Sequence, residues 1–267
     1  MISFPNAKIN IGLNVVSKRP DGYHNLETVF YPVQLSDALE IIPSNEPEFS
    51  FSGIEITGNL EDNLVVKAYE LLKKDYNLPL VKLHLHKAVP FGAGLGGGSS
   101  DAAFTIKMLN ELFDLKIPVI NLKGYAAKIG ADCPFFIENK PAFATGIGDL
   151  LQPVSLDLSE YVIVILKPDV SVSTPDAYRN IIPSDPGFSL KDIEKLPIEE
   201  WKGVIKNDFE KTVFQKYPEI EKLKKNMYDN GAVYASMSGS GSAVFGIFRH
   251  LPAETDKFIP KGIFTYR

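Results

Sequence analysis

Five glycines fall within the seven residues Gly92-Ala93-Gly94-Leu95-Gly96-Gly97-Gly98, and two hydroxyls, Ser99 and Ser100, follow at once. Glycine removes the Cβ and opens φ > 0, so successive backbone N–H groups can turn toward one anion. A helix opening here adds its unpaired N–H groups and the positive end of its dipole, which favours phosphate. The competing reading is a flexible linker, but a clean strand pattern precedes the run and a clean helix pattern follows it. Gly92-x-Gly94-x-x-Gly97 formally matches the dinucleotide fingerprint, which requires a second parallel strand ending in an acidic residue about 20 residues on. Here the helix pattern runs into Lys116-Ile117-Pro118 and then into another helix. A Walker-type loop requires Gly-Lys-Ser/Thr, and no lysine lies in this one. The run is a phosphate loop of neither common class.

Other residues could carry chemistry. Gly130-Ala131-Asp132-Cys133-Pro134-Phe135 sets a carboxylate just past an expected helix stop, where an Asp by itself reads as a turn former. Lys8 and Asn10 fall on the polar face of an alternating strand, where a charged side chain ordinarily points to water. Asp21-Gly22-Tyr23-His24 alone reads as a surface turn. The other histidines are His84, His86 and His250, with no acidic or cysteine ligands at metal spacing, so no metal ligand set is assigned. His84 and His86 share a strand face, but two ligands do not make a site.

The elements that must position these groups follow from periodicity. Ala7, Ile9, Ile11, Leu13 and Val15 alternate as a half-buried strand, and residues 29–33 and 38–42 read as further strands. Residues 63–75 read as a helix, and Val81, Leu83 and Leu85 as a strand leading into the loop, 90–100. Ala102, Ile106, Leu109 and Phe113 form a helical stripe. A second helix is expected over 122–129, with Asn121 as N-cap and Gly130 as a left-handed stop. The pattern pauses near Pro153–Ser159, where a domain boundary is placed, and an apolar strand follows over 161–166. Residues 218–230 read as a helix with Pro218 at N1, Gly231 after its end and Ile220, Leu223 and Met227 inward. Strands over 232–237 and 243–248 flank Ser238-Gly239-Ser240-Gly241-Ser242. No internal repeat or low-complexity tract is present.

Composition bounds the function. The 267 residues carry 28 basic and 33 acidic side chains, a net charge of −5, which argues against an extended nucleic-acid surface. No apolar run reaches the ~18–20 residues that span a bilayer, and the N-terminus lacks a signal-peptide pattern. Cys133 is the single cysteine, which fits a reducing cytoplasm.

Together these residues resemble the GHMP kinase superfamily, small-molecule kinases named for galactose, homoserine, mevalonate and phosphomevalonate. The resemblance rests on Pro5-x-Ala7-Lys8-x-Asn10, Asp21-Gly22-Tyr23-His24, residues 90–100, Gly130-Ala131-Asp132 and Gly239-Ser240-Gly241, which occur in the family's order. It implies an α+β, two-lobed fold, with an N-terminal ribosomal-protein-S5-domain-2-like lobe, a C-terminal ferredoxin-like α/β lobe and the active site between them. Residues 1–155 would form the ATP-binding and catalytic domain and 156–267 the C-terminal domain. The implied reaction is ATP-dependent phosphorylation of the 2-hydroxyl of 4-diphosphocytidyl-2-C-methyl-D-erythritol, in non-mevalonate isoprenoid precursor synthesis.

By position, the resemblance makes Asp132 the catalytic base and Lys8 its partner. Pro90, Phe91, Gly92, Ala93, Gly94, Leu95, Gly96, Gly97, Gly98, Ser99 and Ser100 would cradle the ATP phosphates, with Asn63 near the nucleotide. Magnesium would bridge the phosphates, with Ser99 or Ser100 completing its shell. Asn10, Tyr23, His24 and Phe30 match positions that hold the cytidine substrate, with Thr174 and Tyr178 on the far wall and Gly239 and Ser240 also assigned to it. Asp101 is not counted as a ligand, and residues 183–205 receive no role. The expected setting is a cytoplasmic enzyme, a monomer or weak homodimer, with a small-molecule substrate and no nucleic-acid or membrane partner. Two alternatives stand beside it. A homoserine- or mevalonate-type kinase would offer no base for Tyr23 and His24. A non-catalytic nucleotide-binding module would need neither Lys8 nor Asp132.

Overall fold

The alternating residues of the first strand lie in β2, Asn6–Lys18, of the computed structural model, which describes residues 1–179, 181–251, 259 and 263–266. Positions 180, 252–258, 260–262 and 267 of the expected C-terminal domain therefore lie outside the described residues. The strand is not half-buried as its pattern suggests: every residue from Ala7 to Val15 is buried, on both faces. Lys8 and Asn10 are each only 3% exposed, so neither points to water and each must find partners.

The chain divides into two compact units. The first comprises Met1–Lys8, Pro32–Pro90 and Gly96–Lys140, and the second Ile9–Tyr31, Phe91–Leu95 and Pro141–Arg267.

In the first unit a sheet runs in the order β1 (Ile2–Ser3), β4 (Ala38–Pro43), β6 (Val81–Lys87), β5 (Glu48–Gly53). β6 is antiparallel to β4 and parallel to β5, and the parallel pair is joined through the helix α1, Leu64–Tyr76, as a parallel connection requires. Asn63 caps α1, its side chain accepting from the Val65 N–H at 3.1 Å. The helix α2, Gly97–Leu112, starts a full turn before its apolar stripe, because Gly97–Ser100 offers no hydrophobic periodicity to announce a helix. The helix α3 spans Val119–Ala127 rather than 122–129. Pro118, not Asn121, stands at its N-cap, and Gly130 is not left-handed. A short helix α4, Cys133–Glu138, was not apparent from the sequence; Pro134 in its first turn presets its φ.

The second unit holds two sheets. One has the order β2, β3 (His24–Ser36), β7 (Ala142–Thr145), β8 (Leu150–Pro153), of which β2 and β3 contribute residues 9–18 and 24–31 to this unit. The other has the order β10 (Tyr234–Met237), β11 (Val244–Phe248), β9 (Val162–Lys167), β12 (Phe264–Tyr266). Three helices accompany them: α5 (Thr174–Tyr178), α6 (Phe209–Lys216) and α7 (Pro218–Asp229). Ile220, Leu223 and Met227 of α7 face inward as their spacing predicts, joining a core with Leu13, Val15, Leu26, Val164 and Leu166. Among the described residues no helix is long and apolar enough to cross a membrane.

Candidate active site

The glycine loop folds by conformation before it folds by contact. Gly92, Gly94 and Gly96 all take positive φ (58°, 72° and 69°), so left-handed turns recur at alternate residues. That alternation is the backbone pattern of an anion-binding nest. At Gly96 the chain enters α2, and the first N–H groups of that helix have no intrahelical partner, a second set of donors for an anion.

In the first unit, Lys8 and Asp132 meet, Nζ to Oδ2 at 3.3 Å, with side chains 4% and 33% exposed. Asp132 stands at the start of α4 with helical φ and ψ, and its side chain makes no capping bond. Its carboxylate is directed to the lysine instead of being spent on the helix. A Cβ on Gly96 would stand 3.1 Å from Lys8 Cε and 3.0 Å from Phe136 Cζ, so Gly96 rests directly on the lysine stem. Ser99 is half-buried, whereas Ser100 is fully buried and its Oγ has no hydrogen-bond partner. Burial pushes the Cys133 thiol up to about 11, against a hydrogen bond from Ser99 that lowers it, so the thiol stays protonated and unreactive at neutral pH. Asn63 is accounted for locally as the α1 cap.

A buried charge cluster, not apparent in the sequence, joins the end of β6 to α2 within the first unit. Lys87 Nζ donates to Asp37 Oδ2 and, at 2.8 Å, to Asp101 Oδ2. Desolvation raises Asp101 to about 8, the pull of Lys87 opposing it.

In the second unit, Ser238 is a hub. Its Oγ donates to the Gly94 carbonyl at 2.8 Å and accepts from the Asn10 N–H at 3.1 Å. Asn10 Nδ2 donates to Thr28 Oγ1 at 3.0 Å, and a Cβ on Gly239 would stand 3.1 Å from Asn10 Oδ1. Asn207 Nδ2 donates to the carbonyls of Met237 and Gly239, both at 2.8 Å, and its Oδ1 accepts from the Phe209 N–H. Ser238 was visible only as part of a Gly/Ser turn, and nothing around Asn207 in the sequence marked it. We expect Asn207→Ala to cost about 2–4 kcal/mol, because two buried carbonyls lose their donor. The urea midpoint should fall without a change in slope.

Some of the residues expected to hold the substrate meet within this unit. His24 and Tyr178 stack, centroids 4.9 Å apart at 20°, and Phe209 buttresses Tyr178 edge-on at 4.7 Å. Tyr23 is 63% exposed on the turn where its N–H is held by Asp21, Thr174 is exposed and Ser240 is half-buried. Phe30 is buried in the strand β3, opposite Ala142.

The family model described as GHMP kinases N terminal domain matches residues 63–140, and that described as GHMP kinases C terminal matches residues 189–257. A 4-diphosphocytidyl-2-C-methyl-D-erythritol kinase of Bacteroides fragilis is 58% identical over 252 residues, covering 93% of this chain and 92% of its own. One from Parabacteroides distasonis is 56% identical over 248 residues, covering 93% and 92%. A crystal structure of 4-(cytidine 5'-diphospho)-2C-methyl-D-erythritol kinase aligns with a TM-score of 0.80 at 35% identity, over 92% of this chain and 90% of that one. The mevalonate kinase of Methanococcus jannaschii shares the fold, with a TM-score of 0.71 at 12% identity over 100% and 96% of the two chains. The chain belongs to the GHMP kinases and, within them, to the 4-diphosphocytidyl-2-C-methyl-D-erythritol kinase family.

Proposed function

We propose that this ATP-dependent small-molecule kinase transfers the γ-phosphoryl group of ATP to the 2-hydroxyl of 4-diphosphocytidyl-2-C-methyl-D-erythritol, giving ADP and the 2-phosphate. The observation that carries this reading is the cluster of Gly96, Lys8 and Asp132. It sets a carboxylate and an ammonium, 3.3 Å apart, against the end of a phosphate loop. Phosphoryl transfer is mostly positioning and charge stabilisation, which backbone N–H groups and a lysine supply. An alcohol is a weak nucleophile, and Asp132 accepts its proton as attack proceeds. Lys8 pairs with that carboxylate and faces the charge of the moving phosphoryl group.

The residues present also fit magnesium: the half-buried Ser99 hydroxyl is a hard oxygen donor of the type that ion takes. When bound, it would neutralise phosphate charge. Ser100, wholly buried, is the poorer donor of the two serines. Cytosine would be held by Tyr23 and the His24–Tyr178 pair, with Asn10, Phe30, Thr174, Gly239 and Ser240 around the rest of the substrate. The proposal keeps 1–155 and 156–267 as the functional domains of a cytoplasmic monomer or weak homodimer. The acidic balance and single cysteine support that setting.

Coupled ADP release with ATP, magnesium and 4-diphosphocytidyl-2-C-methyl-D-erythritol tests the reading, with homoserine and mevalonate in parallel. Turnover of the cytidine compound alone is the expected result. Turnover of another alcohol would retain the loop and discard the aromatic wall. ATP binding without turnover of any of them would favour the non-catalytic module.

A further inference from the structure

We infer that Lys87 is a positioning residue for the nucleotide phosphates: its buried ammonium, gripped by Asp37 and Asp101, ties the chain entering the glycine loop to the helix leaving it. This rests on the reading of that loop as the ATP phosphate site. Lys87, Asp37, Asp101 and the two backbone segments they join all belong to the first unit.

Lys87 is the last residue of β6, and Asp37 lies in the one-residue joint between β3 and β4. While Asp37 Oδ2 takes the Lys87 ammonium, its Oδ1 accepts the N–H groups of Ala88 and Val89 at 2.6 and 2.8 Å. Those two residues are the backbone that runs into the loop. On the far side, Asp101 accepts from the same ammonium at 2.8 Å from one turn inside α2. Between them lies Gly97, the first residue of that helix. A Cβ there would stand 2.9 Å from Lys87 Nζ and 2.8 Å from Val89 Cγ1, so the helix start sits directly on the ammonium. The side chains of Lys87, Asp37 and Asp101 are 1%, 0% and 3% exposed.

Stability alone does not account for such a cluster. Desolvating three ionisable groups offsets most of their attraction, and apolar replacements of similar volume are often neutral or stabilising. Directional hydrogen bonds supply something packing does not, a fixed register between two backbone segments. Here one of those segments, the start of α2, carries N–H groups that would face phosphate, where a displacement of about 1 Å can cost roughly a hundredfold in function.

Two variants separate position from stability. Lys87→Met leaves two buried carboxylates facing each other and should melt at lower temperature. The triple variant Lys87→Met, Asp37→Asn, Asp101→Leu removes all the charge, keeps an oxygen for the Ala88 and Val89 N–H groups, and should recover much of the lost melting temperature. Calorimetric titration with magnesium–ADP and with adenosine is read well below each variant's melting temperature. We expect ADP affinity to fall roughly 10- to 100-fold in both variants, with adenosine affinity unchanged, since adenosine has no phosphate to position. Parent-like ADP affinity in the triple variant overturns the inference and leaves the cluster structural. Equal losses for ADP and adenosine overturn it too. If the parent binds ADP but does not turn over the cytidine substrate, the substrate reading fails while these titrations still decide the role of Lys87. A parent that binds no adenine nucleotide overturns both.

Discussion

Asp132→Asn should lower kcat by roughly 10²–10⁴-fold, the range for losing a general base, while the affinities for ATP and the cytidine substrate stay within a few-fold. The substitution is nearly isosteric, and the Asp132 side chain makes no capping bond that α4 would miss. What disappears is the acceptor for the alcohol proton and the partner of Lys8 at 3.3 Å. Because Lys8 is almost wholly buried, some loss of stability accompanies the change, as its ion pair with Asp132 is given up. Single-turnover measurement at saturating substrates isolates the chemical step from binding. Near-parent turnover would remove Asp132 from the mechanism, and a rise in KM with unchanged kcat would recast it as a binding residue.

Gly94→Ala should abolish the loop's geometry, lowering kcat/KM for ATP by roughly a hundredfold or more. Two costs combine. The residue sits at φ 72°, where a Cβ costs about 1–2 kcal/mol. That Cβ would also stand 1.9 Å from the Ser238 carbonyl oxygen, and because the obstacle is backbone, no rotamer change relieves it. The loop must withdraw, breaking the bond from Ser238 Oγ to the Gly94 carbonyl. Gly98→Ala is the contrast: its φ is not left-handed and its Cβ would meet only Leu64 Cδ1 at 3.6 Å, so the fold should be retained. Thermal melts of both variants alongside ATP kinetics distinguish backbone strain from the mere loss of a glycine. Parent-like kinetics in Gly94→Ala would show that the loop does not bind phosphate through this conformation.

The glycine loop and the strand before it were legible because composition and period speak locally. The same holds for α7, whose Pro218, inward stripe and Gly231 announce a helix in the sequence itself. Lys8 shows where local reasoning stops. Alternation places it on a polar face, yet that face is covered by chain from far away, including Asp132 and Gly96, and burial from both sides cannot be read from period 2. Misplacement of α3 has a similar origin, since Pro118 can end one segment or cap the next and the sequence favoured Asn121. Asp37, Lys87 and Asn207, and the bonds that Ser238 makes, were invisible for one shared reason. Their partners lie tens to hundreds of residues away, so no spacing rule joins them.

The discontinuous make-up of the two units bears on the order in which the chain can mature during synthesis. Residues 9–31 are made before the other segments of their unit, yet Leu13, Val15 and Leu26 are buried against Val164, Leu166, Phe209 and Met237, which follow more than a hundred residues later. For most of translation this apolar hairpin has no native surface to cover it. A nascent chain halted after Lys140 would hold every segment of the first unit and still display that hairpin. It would be a ready target for holdase chaperones, and for association with other unfinished copies, until the distal strands emerge.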